Sequence, residues 1–188
     1  MTLTKVPKIG DLIVADVATV SGYFTRSVVL ILDNDETGAL GVALNKMTQL
    51  GIDEYLPGWS HLTCPPQKMF SGGPVSPNGA ICLASVDELD EEPLGWRKII
   101  GNVGLLHLDT PKELVAGTYS QLRIYAGYAG WGPGQLNEEL EKGFWHVVKA
   151  TSVDFFTAKP EKLWRNVLRR QGGLLGMTAS WVSDPKMN

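Results

Sequence analysis

The run Tyr125-Ala126-Gly127-Tyr128-Ala129-Gly130-Trp131-Gly132-Pro133-Gly134-Gln135-Leu136 concentrates the groups best suited to holding a ligand. Its glycines let a ligand, or another stretch of backbone, come close. Tyr128 and Trp131 offer flat apolar faces and Gln135 a donor–acceptor pair. A helix opening at Gln135 would turn free N–H groups toward an anion. The spacing is neither GxGxxG nor a P-loop, and tight backbone packing around Trp131 accounts for the same glycines. A second glycine feature, Ser71-Gly72-Gly73-Pro74-Val75, could form an oxyanion or anion nest. Ser71 is not in a GxSxG elbow, and its spacing from His61, His107 and His146 marks none of the three as its base. A hydrolase using Ser71 therefore needs a histidine brought to it by the fold.

Other chemistry is sparser. His61 and Cys64 make an HxxC, half of a metal site, with no second pair at zinc-like spacing. The run Asp33-Asn34-Asp35-Glu36-Thr37-Gly38 opens like a calcium loop. Its twelfth position is Leu44, where a bidentate Glu should stand, so it reads as a turn. His107 and His146 read as structural or surface residues. No HExxH, paired-carboxylate or base-reading motif occurs, and neither cofactor nor metal is expected. The best nucleic-acid candidates are Lys162, Arg165, Arg169 and Arg170 on the polar face of a terminal helix. The net charge of −3 argues against that role. It combines 5 Lys/Arg against 12 Asp/Glu in residues 1–94 (−7) with 12 against 8 in residues 95–188 (+4).

These groups need a frame, and the local pattern supplies one. Strands are predicted at Leu12–Ala15, Ser27–Leu32, Ala39–Leu44, Met69–Ser71, Ala80–Ala84, Lys98–Ile100, Val103–Leu108, Gln121–Tyr125 and Phe144–Lys149. The second and third form a hairpin about the polar turn, and Gly101-Asn102 closes another. Thr48–Leu56 allows a short helix before Pro57-Gly58. Thr110-Pro111-Lys112-Glu113 reads as a capping box opening a helix that Gly117 stops. Gln135–Lys142 is a helix with Leu136 and Leu140 inward and Gly143 as its stop. The helix from Pro160 carries Leu163, Trp164, Val167 and Leu168 as its apolar stripe, with Gly172 beyond its end. Asp87–Glu92 reads as a solvated loop.

With 188 residues, 44% of them hydrophobic, the chain can bury one sizeable core without staples. Glycine reaches 21 residues and tryptophan 6, which excludes disorder, and the glycines lack the period of collagen. The two cysteines are too few for a disulfide scaffold. With no secretory signal and no apolar run long enough for a bilayer, a cytoplasmic protein without a membrane partner is expected. No repeat or linker divides residues 1–188, so a single domain is expected.

Taken in order, the strings resemble the YqgE/AlgH family of bacterial proteins. The matching stretches are Gly10-Asp11-Leu12-Ile13-Val14-Ala15, Phe24-Thr25-Arg26-Ser27-Val28-Val29-Leu30, Gly38-Ala39-Leu40-Gly41-Val42-Ala43-Leu44-Asn45, Ser71–Val75, Gly127–Leu136 and a close near Ser183-Asp184-Pro185. The resemblance implies a mixed α/β domain, with a large mixed, largely antiparallel sheet flanked by short helices. Members are often labelled transcriptional regulators, and the family brings no assigned activity, cofactor or catalytic residue. The residues favour a non-enzymatic protein that holds a small molecule or a protein partner. Its ligand candidates are Asn45, Gly72, Gly73, Tyr128, Trp131 and Gln135, with a concave surface expected between Gly72-Gly73 and Gly127–Gln135. The alternatives are nucleic-acid contact through the 160–171 helix and a weak hydrolase using Ser71.

Overall fold

The computed structural model describes residues 6–19, 22–87 and 91–180. Ser183-Asp184-Pro185 and part of the Asp87–Glu92 loop lie outside them. The strands are β1 (Asp11–Ala15), β2 (Val28–Asp35), β3 (Gly38–Ala43), β4 (Phe70–Ser71), β5 (Val75–Val86), β6 (Trp96–Ile100), β7 (Val103–Leu106), β8 (Tyr119–Trp131) and β9 (Trp145–Lys149). They form one sheet in the order β6-β7-β5-β8-β3-β2-β1-β9, with the short β4 beside β8. Every pairing is antiparallel except β4 with β8, which is parallel. The helices α1 (Lys112–Val115), α2 (Gln135–Glu141), α3 (Ser152–Phe155), α4 (Leu163–Gln171) and α5 (Gly173–Thr178) are short. This is the mixed α+β architecture expected, with a largely antiparallel sheet.

Period-two alternation places successive strand side chains on opposite faces, and here both faces are covered. Leu12, Val14, Val28 and Leu30 join Leu163, Trp164, Val167 and Leu168 of α4 in one apolar layer. Ile13, Ala15, Val29 and Ile31 face the other way, onto Trp131, Trp145 and the Leu136 and Leu140 of α2. This is why every residue of β1 is buried. At the far half of the sheet, Cys82, Ala84, Leu122 and Ile124 pack against Ile52, Trp59 and Val115. The membrane expectation meets one direct observation: among the described residues, no helix is long and apolar enough to cross a bilayer.

Three local readings are corrected, and two helices were missed. Thr48–Leu56 is not a helix, and only Ile52–Glu54 forms a single 3-10 turn. Met47 is drawn into a bridge with Phe70, and the Thr48 hydroxyl donates to the Met69 carbonyl, so the segment starts extended. The capping box at Thr110 does not form. Pro111 itself occupies the cap in an extended conformation, and the helix starts at Lys112. The glycine-rich segment is strand as far as Trp131, because β3 pairs with Ala129, Gly130 and Trp131 and supplies the ladder that local propensity could not. The helices α3 and α5 were not legible from the pattern, each being under two turns.

Candidate functional site

Helix α2 begins immediately after Gly134, whose φ of 75° turns the chain out of β8. The Gln135 side chain closes that turn, its Oε1 accepting from the Gly132 N–H at 3.0 Å. One helical turn on, Gln135 Nε2 donates to Glu139 Oε1 at 2.9 Å. The other oxygen of Glu139 accepts from two indoles, Trp131 Nε1 at 2.9 Å and Trp145 Nε1 at 2.8 Å. One carboxylate thus ties the end of β8 to the start of β9. Phe24 lies against both rings, stacked on Trp131 at 6.1 Å and edge-on to Trp145 at 5.3 Å.

Beside this aromatic knot lies a cavity of about 630 Å³, walled by Tyr23, Phe24, Trp145, Glu139, Asp16 and His146 among others. Asp16 Oδ2 meets His146 Nε2 at 2.6 Å, while Asp16 Oδ1 accepts from the Ala18 N–H at 2.8 Å. The pairing of β1 with β9 sets this up, placing Val14 opposite His146. Tyr23 closes a third side, its hydroxyl donating to the Ser71 carbonyl at 2.8 Å and lying 2.7 Å from Ser71 Oγ. Burial raises the Tyr23 pKa, opposed by the Ser71 contact. The Lys46 ammonium donates to the Thr25 carbonyl, and burial lowers its pKa.

The ligand candidates read from the sequence divide among several places. Trp131 is 6% exposed and Gln135 is exposed; neither lines this cavity, but both hydrogen-bond to Glu139, which does. Tyr128 and Trp131 together border a different, smaller depression of about 370 Å³, with Asp33, Asp35, Val75 and Gly130. Asn45 accepts from the Val28 N–H and donates to the Arg26 carbonyl, both at 2.9 Å, pinning the end of the Arg26 loop. Gly72 donates to the Ala126 carbonyl and accepts from the Ala43 N–H, stitching β4 between β8 and β3. A Cβ at Gly73 would lie 2.0 Å from the Tyr128 carbonyl carbon. The two glycine strings therefore touch backbone to backbone at Gly73, while Val75 of one and Tyr128, Gly130 and Trp131 of the other share the smaller depression.

The remaining candidates have ordinary surroundings. Ser71 has Tyr23 as its side-chain partner, and no hydrogen bond links it to His61, His107 or His146. Arg170 is held in a bidentate grip by Asp154 at 2.6 and 2.7 Å, whereas Lys162, at the cap of α4, and Arg165 and Arg169 on it are exposed. Among the described residues, no group of three or more His, Cys, Asp or Glu side chains is gathered as a metal site. Sequence reasoning missed Asp16, Tyr23, Phe24 and Glu139. Only Glu139 left a local signal, its four-residue spacing from Gln135.

Comparison with known proteins agrees with this architecture. The AlgH-like family pattern matches residues 12–176. A UPF0301 protein of Streptomyces avermitilis is 47% identical over 182 residues, spanning 95% of this chain and 94% of its own. One from Mycobacterium leprae is 37% identical over 182 residues, spanning 95% and 90%. Among solved structures, the crystal structure of a Corynebacterium diphtheriae protein superposes with a TM-score of 0.87 at 26% identity, covering 94% of each chain. The solution structure of the AlgH protein from Pseudomonas aeruginosa gives 0.68 at 22% identity, covering 93% of this chain and 94% of that one, a likeness of fold.

Proposed function

This chain belongs to the AlgH-like family, and we propose that it is a non-enzymatic protein that binds a small molecule in the cavity between Tyr23-Phe24 and the turn joining α2 to β9. The observation that carries this reading is the cavity itself. Its volume of about 630 Å³ suits a small ligand, and its lining sets the rings of Tyr23, Phe24, Phe144 and Trp145 beside polar groups that include the hydrogen-bonded pair Asp16 and His146, with Glu139 and Lys142. Trp131 and Gln135, outside this lining, fix Glu139 and through it Trp145. A cytoplasmic location belongs to the same proposal and is supported by two free cysteines, as a reducing compartment keeps them.

A thermal-shift screen against organic acids, nucleosides and aromatic amines tests the proposal. A true ligand at a hundred times its Kd stabilises by about 2.7 kcal/mol, which raises Tm by about 5–10 °C in a chain of this size. The shift should disappear in Phe24→Ala and His146→Gln and persist in Tyr128→Ala. If no compound shifts wild type, or if Tyr128→Ala alone removes the shift, the ligand does not sit in this cavity. The alternatives have less support. A regulator touching nucleic acid through α4 would have three exposed cations on a chain of net charge −3, since Arg170 is engaged by Asp154. A hydrolase would have Ser71 without a hydrogen-bonded histidine.

A further inference from the structure

Arg123, in the middle of β8, is 1% exposed and has no carboxylate partner among the described residues. Its Nη2 donates to the Pro65 carbonyl at 2.7 Å, approaches the Phe156 carbonyl at 3.4 Å, and lies 3.5 Å from the Cys64 sulfur. The guanidinium rests over the Phe70 ring at 4.5 Å. Its Nε and Nη1 make no hydrogen bond of good geometry, and neither does the hydroxyl of Tyr125, two residues along the same strand face, although the guanidinium lies near enough to that phenol to oppose the effect of its burial. Burial holds that phenol protonated, so it remains available as a donor. Beside Cys64 there are thus two guanidinium nitrogens and a phenol that the Pro65 and Phe156 carbonyls do not satisfy. A buried donor left unmet is costly, and a thiol is a poor acceptor.

We propose that Cys64 is a peroxide-reactive modification site, and that its sulfenic acid is held by the Arg123 guanidinium. The sulfur lone pair attacks one oxygen of hydrogen peroxide, and the S–O bond forms as the O–O bond breaks. The departing hydroxide takes up the thiol proton and leaves as water. Sulfur is oxidised by two electrons and peroxide is reduced by two. The new oxygen is the acceptor that Arg123 lacks, and Nη1 sits on the same planar fork as the Nη2 already against the sulfur. Cys64 is half-buried, whereas Cys82 is buried. Metal binding through the His61–Cys64 spacing fits poorly with a guanidinium at the sulfur. Cys82 is not the resolving partner: it is fully buried in the layer on the opposite face of the sheet.

The full-length protein, treated with hydrogen peroxide in the presence of dimedone and mapped by peptide mass spectrometry, provides the test. One adduct is expected, on Cys64, forming about tenfold faster in the folded chain than in urea, where Arg123 no longer meets the sulfur. Cys64→Ser should abolish it and Cys82→Ser should leave it. Arg123→Lys, confirmed folded by circular dichroism, should label about tenfold more slowly than wild type. If that variant does not fold, the comparison of folded with unfolded wild type carries the test alone. Equal rates in the folded and unfolded chain, labelling at Cys82 alone, or a disulfide in place of the adduct would each overturn the proposal.

Discussion

Glu139 shows how much one side chain carries here. Its Oε2 is the acceptor for two nearly buried indoles, and its Oε1 is held by Gln135. Replacing it with alanine leaves both Trp131 and Trp145 without a partner for the N–H. Hydrogen bonds to a charged group contribute about 1.5–3 kcal/mol each, discounted here because Glu139 is only half-buried, so Glu139→Ala should cost about 2–3 kcal/mol. Glu139→Gln keeps a carbonyl oxygen and should cost less than half as much. Urea titration followed by tryptophan fluorescence measures both, and equal costs for the two variants would mean that the indoles find other acceptors. At this scale the sequence is a partial guide. Gln135 stands out by its position at a helix start, but nothing local links Asp16 to His146, 130 residues away, or Tyr23 to Ser71.

Elements are more legible than their contacts. Apolar alternation and β-branched runs mark β1, β2 and β3, and Gly143 and Gly172 end α2 and α4 where their positive φ permits a reversal. The glycine-dense end of β8 was not legible as strand, because its ladder comes from β3, some ninety residues earlier. The same pairing explains what its glycines do. Gly127, at φ 68°, bends β8 where the Gly73 and Val75 carbonyls cross it. A Cβ at Gly73 would occupy the space of the Tyr128 peptide, so Gly73→Ala must separate the two segments. We expect a loss of more than about 4 kcal/mol, or failure to fold. Gly132→Ala, whose Cβ would meet nothing nearer than Gln135 Oε1 at 3.9 Å, should change stability by no more than about 0.5 kcal/mol. Equal effects in a thermal melt would refute a packing role for the crossing.

At the scale of the molecule, the charge asymmetry of the sequence turns inward. The acidic first half meets the basic second half where β1 pairs with β9, through Asp11 with Lys149 and Asp16 with His146. Some of the charge imbalance between the two halves is thus met within the fold. This closure, together with an apolar layer that runs from Leu12 and Val14 across to Leu83, Ile99 and Val103, makes the two halves of the sheet interdependent. Trp164 is the place to test that dependence. It packs in this layer, and its indole donates to the Ala15 carbonyl at 2.8 Å, at the β1 end of the sheet. Trp164→Ala should cost about 3–5 kcal/mol, a large share of the 5–15 kcal/mol that holds a typical domain. Hydrogen exchange read by mass spectrometry then separates two outcomes. In a single cooperative unit, peptides from β6 and β7, far from the substitution, lose protection as much as those from β1 and β9. Wild-type protection retained at β6 and β7 would mean that the sheet unfolds in two parts and that the shared layer does not couple them.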